Sequence, residues 1–217
     1  MEAMQQSVNK VEEIRHPVAA SPLPTLGMIF AVLATLSWAI SVGIIPPEGT
    51  LGLGIVSLAV FPSYAIAARN LLKTGDGFNG NIFSIFCCFF AAVGGVSSIM
   101  SWVSLTYGLP YPGQIVGIIW VLLGIELGMC LVPIWKHGYW SVMIQVTMAT
   151  VGLLLNGLVG LGVIGAFGGV IGGWLFFFVA MFQLYFTGLE HVNQFGMNWS
   201  YGPQTPPAAR ESLAKGE

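Results

Sequence analysis

The seven lysines and arginines of this 217-residue chain fall in four places: Lys10 with Arg15, Arg69 with Lys73, Lys136, and Arg210 with Lys215. Long apolar runs separate those places, and a run of about 18 or more residues with few charges reads as a membrane span. If six runs cross, the amino-terminal arm, the second and fourth loops and the carboxy-terminal tail share one side. The first, third and fifth loops face the other side and carry no lysine or arginine. Short positive loops are retained on the cytoplasmic face. The pattern therefore predicts an all-α, polytopic membrane protein of the cell membrane, with six transmembrane helices and both termini cytoplasmic.

Composition agrees. Charged residues make up 7% of the chain and hydrophobic residues 55%, whereas soluble domains carry roughly 25% charged residues. Too little polar surface remains to cover a soluble globule, and no basic patch for nucleic acid exists. The spans are predicted at 24–45, 51–68, 81–105, 114–135, 139–161 and 163–187, each near the roughly 20 residues that cross a hydrocarbon core. Proline and glycine punctuate the boundaries, as in Pro46-Pro47-Glu48-Gly49 and Lys73-Thr74-Gly75-Asp76-Gly77. Residues 1–22 have mixed charge and no apolar core of a signal peptide, so they read as a cytoplasmic arm. The six-helix domain is expected over 23–195. The tail over 196–217, with three prolines and no apolar periodicity, reads as disordered.

Such a chain suits a transporter or channel, an embedded enzyme, or a subunit of a larger membrane complex. His16, His137 and His191 all lie at or beyond the span ends, which argues against haem or intramembrane metal chemistry, and no cofactor or metal is expected. Cys87, Cys88 and Cys130 sit inside spans without metal-ligand spacing and read as buried apolar groups. No enzymatic constellation is evident. Glu126 is the one acidic residue well inside a span; such residues pair, face a bundle interior or line a wet path. It is the candidate proton relay, against the plainer role of interhelical hydrogen-bond partner. With no lysine or arginine inside the spans, a solute must be held by hydroxyls, amides or helix termini. Asn81, Ser84, Gln145, Thr147, Thr150 and Asn156 are the candidates for a polar substrate path, each also suited to ordinary packing. Glycines at 165, 168, 169, 172 and 173 form a small-residue face that favours close helix packing. Phe83, Phe86, Phe89 and Phe90 form an aromatic stripe.

Two stretches carry a more specific signal. Gly75-Asp76-Gly77-Phe78-Asn79-Gly80-Asn81-Ile82-Phe83-Ser84-Ile85-Phe86 is similar to the loop-and-helix motif of the acetate uptake transporter family, and Asn193-Gln194-Phe195-Gly196 resembles that family's Glu-Gln-Phe-Gly after the last helix. The family's entry motif, Asn-Pro-Ala-Pro-Leu-Gly-Leu, is matched in part by Pro22, Pro24 and Gly27 within Ser21 to Met28; the leading Asn is absent. The family's Asn in the first helix and its Gly-Gly-x-x-Gln in the second are also missing. The resemblance implies a six-helix protomer in a homohexamer, each protomer with its own path for a small monocarboxylate such as acetate. It further implies an apolar constriction at Phe86 on the third helix, Phe30 or Ala31 on the first and Met148 on the fifth. An apolar constriction holds back hydrated ions.

The reading that follows is a proton-linked transporter or channel for a small monocarboxylate, with the lipid bilayer as surroundings and the carboxylate and protons as partners. A passive channel for a small neutral solute such as urea, an amide or ammonia is the alternative within transport. A structural subunit of a membrane complex is the alternative outside it.

Overall fold

The computed structural model describes residues 21–111 and 113–207. The amino-terminal arm, apart from Ser21 and Pro22, and the tail beyond residue 207 lie outside the described residues. Helix α1 runs Leu23–Ser41, with Pro24 in its first turn, where the missing N–H has no intrahelical partner to lose. A short 3₁₀ turn, Pro47–Gly49, leads into α2, Thr50–Lys73. The third span is built of α3 (Gly77–Phe86), a π-helical segment (Cys87–Val93) and α4 (Gly94–Tyr107). The fourth comprises α5 (Gly113–Met129) and α6 (Leu131–His137), broken at Cys130. Helices α7 (Trp140–Gly160) and α8 (Ala166–Gln194) complete the bundle. Six helices long and apolar enough to cross a membrane result, and no strand occurs among the described residues.

The boundaries differ from the sequence expectation by three to five residues at the ends of α1 and α2 and the starts of α3 and α8, and most at the end of α8. Its end extends past Thr187 because Leu189 continues the buried face while Glu190 and His191 occupy the more accessible turn. Its start at Ala166 follows a turn in which Gly162 has φ +72°, the left-handed conformation that separates it from α7.

The first span packs between the second and the sixth, the second against the third, and the sixth against the fifth, which in turn packs on the fourth. At the fourth–fifth contact the backbones nearly touch. A Cβ added to Gly117 would lie 2.8 Å from the Gly157 carbonyl oxygen, and one on Gly157 2.9 Å from the Gly117 oxygen. Lipid offers apolar groups as good a home as a neighbouring helix, so close backbone approach replaces hydrophobic burial as the packing force. Leu26, Leu33, Ala34, Tyr64, Ala91, Leu153 and Ala180 form the innermost layer, while Ile55, Ile66, Ile118, Leu122 and Phe178 point outward.

The tail departs from its expected disorder as far as residue 207. Trp140 N–H donates to the Pro203 carbonyl (3.0 Å) and Thr205 N–H to the Gly138 carbonyl (3.1 Å). The Thr205 hydroxyl donates to the Trp135 carbonyl (2.7 Å), and Thr205 is fully buried. The reason lies at the start of α7. Trp140 opens a helix, whose first N–H groups lack intrahelical partners, and the tail supplies an acceptor for its N–H.

Candidate functional site

Two cavities occupy opposite ends of the bundle. The larger, about 660 Å³, is lined by Leu23 and Phe30 of α1, Phe83 and Phe86 of α3, Leu127 of α5 and Ile134 of α6, together with residues of α7, α8 and the tail. The smaller, about 230 Å³, takes Leu33 and Ser37 from further along α1, Phe90, Ser97 and Ser101 from further along the third span, and Val116 and Trp120 from the start of the fourth. Spans one and three therefore run from the first cavity to the second, and span four returns. Leu23 at the start of the bundle and Tyr201 of the tail line the same cavity, so both ends of the described chain lie at one end of the bundle. That end also carries Lys73 and Lys136, each in the last turn of its helix.

Aromatic rings separate the cavities. Phe30 meets Phe86 edge-on, with centroids 5.5 Å apart, and stacks on Phe90 at 5.2 Å. Phe90 in turn touches Trp120 (5.8 Å) and Phe176 (6.1 Å), which joins the first, third, fourth and sixth spans in one cluster. The π segment begins immediately after Phe86 and contains Phe90. Such segments concentrate at functional positions in helices. Here the segment sits at the level where one cavity ends and the other begins, and the Cys87 thiol ties it to α2 by donating to the Phe61 carbonyl at 3.7 Å.

The cavities differ in chemistry. Hydroxyls of Ser37, Thr50, Ser57, Ser97, Ser98, Ser101 and Tyr111 line the smaller one. Burial pushes the Tyr111 phenol above its ordinary range, an effect that a hydrogen bond with Ser97 partly opposes, so it remains a protonated donor at neutral pH. The larger cavity is mainly apolar, with Asn79, His137, Tyr139, Glu190 and Tyr201 on its lining and a small polar group on the fifth and sixth spans. The Gln145 amide nitrogen donates to Gln183 Oε1 at 2.7 Å. Thr187, 5% exposed, belongs to the same lining, but its unpartnered hydroxyl oxygen is shut off from the cavity and faces Gly27 of α1. A buried polar group left unpaired costs about 1–3 kcal/mol. No lysine or arginine lines either cavity.

Phe30 and Phe86, named from the sequence, thus come together between the cavities. Ala31 is buried in the core and Met148 packs against it, but neither lines a cavity. Of the polar candidates, Gln145 alone faces a cavity. Asn81 and Thr147 are exposed; Ser84, Thr147 and Asn156 return their hydrogen bonds to Gly80, Met143 and Gly152 of their own helices. Thr150 is buried without a partner, outside both cavities. Glu126 is half-buried and lines neither cavity. Phe90, Trp120, Phe176, Gln183 and Thr187 were not singled out as site residues. Phe90 belongs to the aromatic stripe visible in the sequence, whereas Gln183 and Thr187 lie on an otherwise apolar helix and gain meaning only through their neighbours.

The motif segments have structural roles. Asp76 caps α3, accepting from the Asn79 N–H at 3.1 Å and from the Asn79 side chain at 2.8 Å. Gln194 donates to the Ser21 carbonyl at 3.3 Å, which joins the carboxy-terminal motif to the start of the chain beside Pro22 and Pro24. Gly27 faces the sixth helix, where a Cβ would collide with the Thr187 hydroxyl oxygen and lie 2.6 Å from Gln183 Nε2. Among the described residues no group of three histidine, cysteine or acidic side chains could hold a metal ion.

No protein-family model matches this sequence. No curated protein matches it either. A solved structure of the bacterial acetate channel SatP shares the fold, with a TM-score of 0.64 and 19% sequence identity over 82% of this chain and 95% of that one.

Proposed function

We propose that this protein passes a small monocarboxylate such as acetate across the cell membrane, between the two cavities and through the Phe30–Phe86–Phe90 constriction, in a proton-linked manner. The observation that carries the reading is the alignment of the cavities on opposite sides of one aromatic cluster, in a fold shared with a bacterial acetate channel. An apolar constriction resists hydrated ions and admits a small solute that sheds water readily. The distribution of lysine and arginine supports a cytoplasmic placement of the larger cavity. Assembly as a homohexamer belongs to the same reading, and light scattering of the detergent-purified protein tests it.

The test of transport is uptake of labelled acetate into proteoliposomes, with and without an inward proton gradient, against protein-free vesicles. Saturable uptake that the gradient stimulates supports the proposal; uptake no faster than the leak of the control contradicts it. A second reading, a passive channel for a neutral solute, draws on the absence of lysine and arginine from both cavity linings. Urea or acetamide flux indifferent to membrane potential and proton gradient, with no acetate uptake, is the result that favours it.

A further inference from the structure

We infer that Tyr201, carried on a strap formed by residues 197–205, is a size filter at the mouth of the larger cavity, set ahead of the Phe30–Phe86–Phe90 constriction. The inference rests on the reading of that cavity as one end of the path and adds a second place of selection, whatever solute passes.

The strap reaches the mouth by a defined route. Helix α8 gives way to Gly196, whose φ of +84° turns the backbone out of the helix. Asn193 then clasps the returning chain. Its side-chain carbonyl oxygen accepts from the Trp199 N–H at 2.7 Å, and its amide nitrogen donates to the Trp199 carbonyl at 3.0 Å. An ionised glutamate, as stands in the motif that Asn193 to Gly196 resembles, accepts only and would make one of the two bonds. Gly202, with φ +104°, makes the second turn. Beyond it, Pro203 and Thr205 pair with the backbone of Trp140 and Gly138 at the start of α7.

Between the two glycines Tyr201 is brought against the cavity. Its carbonyl accepts from the Ser141 hydroxyl, and its ring packs between Tyr139 and Phe186, 5.5 Å from each by centroid. All three rings line the cavity. They stand at its outer end. Val146 and Val179 line it too, seven residues onward from Tyr139 and seven back from Phe186, which is two turns or about 10 Å deeper. Tyr139 and Phe186 belong to the ends of packed helices, whereas residues 197–200 are exposed and Tyr201 is held by the strap's hydrogen bonds and its two ring contacts. Segments held in this way yield without the bundle unfolding. Truncating the Tyr201 ring therefore widens the mouth and leaves the path below it intact.

The test places a thiol below the rim. Val146→Cys, in the full-length detergent-purified protein, is treated with two anionic thiol reagents, a small sulfonatoethyl methanethiosulfonate and a bulky stilbene-disulfonate maleimide. Modification at residue 146 is followed by peptide mass spectrometry. Adding Tyr201→Ala is expected to speed the bulky reagent at least about tenfold and the small one less than about threefold, since thiol reaction follows access. Tyr201→Phe, which keeps the ring, is expected to leave both rates unchanged. Should Tyr201→Ala open the bundle, which reaction at buried Cys87 reports, Tyr201→Leu supplies the same comparison. A bulky-reagent rate that loss of the ring leaves unchanged, or both rates rising by one factor, overturns the size filter and leaves the path standing. Reaction at residue 146 with neither reagent in any variant overturns the filter and the path together. The expected labelling without acetate uptake upholds the filter and overturns the monocarboxylate reading.

Discussion

The ring of Phe30 meets that of Phe86 edge-on at 5.5 Å, at the level where the cavity entered past Leu23 gives way to the one lined by Leu33 and Ser37. Edge-to-face pairs hold their geometry beyond simple burial, so on the proposed path the pair is the barrier a solute must pass. Phe86→Ala should therefore relax selection by size. The ratio of propionate to acetate uptake is expected to rise about tenfold, the order of discrimination a pocket achieves per methylene. Because Phe→Ala in a packed core costs about 3–5 kcal/mol, Phe86→Leu serves as a milder companion, with a smaller rise in the same direction.

The tail segment should be held chiefly by Thr205, whose hydroxyl donates to the Trp135 carbonyl at 2.7 Å and also reaches the Gly138 carbonyl at 3.1 Å. Thr205→Ala leaves the Trp135 carbonyl without that donor, while the Gly138 carbonyl keeps the Thr205 N–H, a loss of about 0.5–1.5 kcal/mol. Hydrogen exchange at the Trp140 and Thr205 amides is expected to accelerate at least about fivefold. Unchanged exchange would show that the Tyr201 ring, packed between Tyr139 and Phe186, holds the segment without help.

Close approach of the fourth and fifth spans makes a sharper stability prediction. A Cβ on Gly117 meets the Gly157 oxygen at 2.8 Å and the Leu161 nitrogen at 2.8 Å, both backbone atoms that cannot step aside. Gly117→Ala is expected to destabilise the protein by about 1–3 kcal/mol, as overpacking does. Gly52→Ala, where nothing lies within 4 Å, should be neutral or slightly stabilising. Melting midpoints of the two variants in one detergent check the contrast.

Glu126 lines neither cavity, so Glu126→Gln is expected to leave acetate uptake and its pH dependence within about twofold of wild type. A collapse of gradient-stimulated uptake would instead restore it as a proton relay.

The number of spans was legible because charge and hydropathy act locally: Arg69 with Lys73, and Lys136, mark loops whatever the tertiary structure. The resemblance offered Phe86 within its motif, Phe30 or Ala31 on the first helix and Met148 on the fifth; of these Phe30 and Phe86 line the larger cavity and meet each other, whereas Ala31 and Met148 lie off both cavities. The π segment left no trace, since Cys87 to Val93 are as apolar as any ordinary turn. Gln183 and Thr187 were illegible for a different reason. A polar residue in an apolar helix declares its partners only when Gln145 and Gly27, far away in the sequence, arrive beside it. The tail's order also depends on a distant event, the exposure of the Trp140 N–H at the α6–α7 turn.

The most direct test of passage between the cavities is to plug one of them. Ser37→Cys places a thiol in the smaller cavity, beyond the constriction. The purified protein is treated with a bulky, charged thiol reagent, complete modification at residue 37 is verified by mass spectrometry, and acetate uptake is measured after reconstitution beside treated wild type. The proposed path predicts loss of most uptake in the modified variant, with treated wild type retaining its own. Full uptake by the modified Ser37→Cys protein would contradict it.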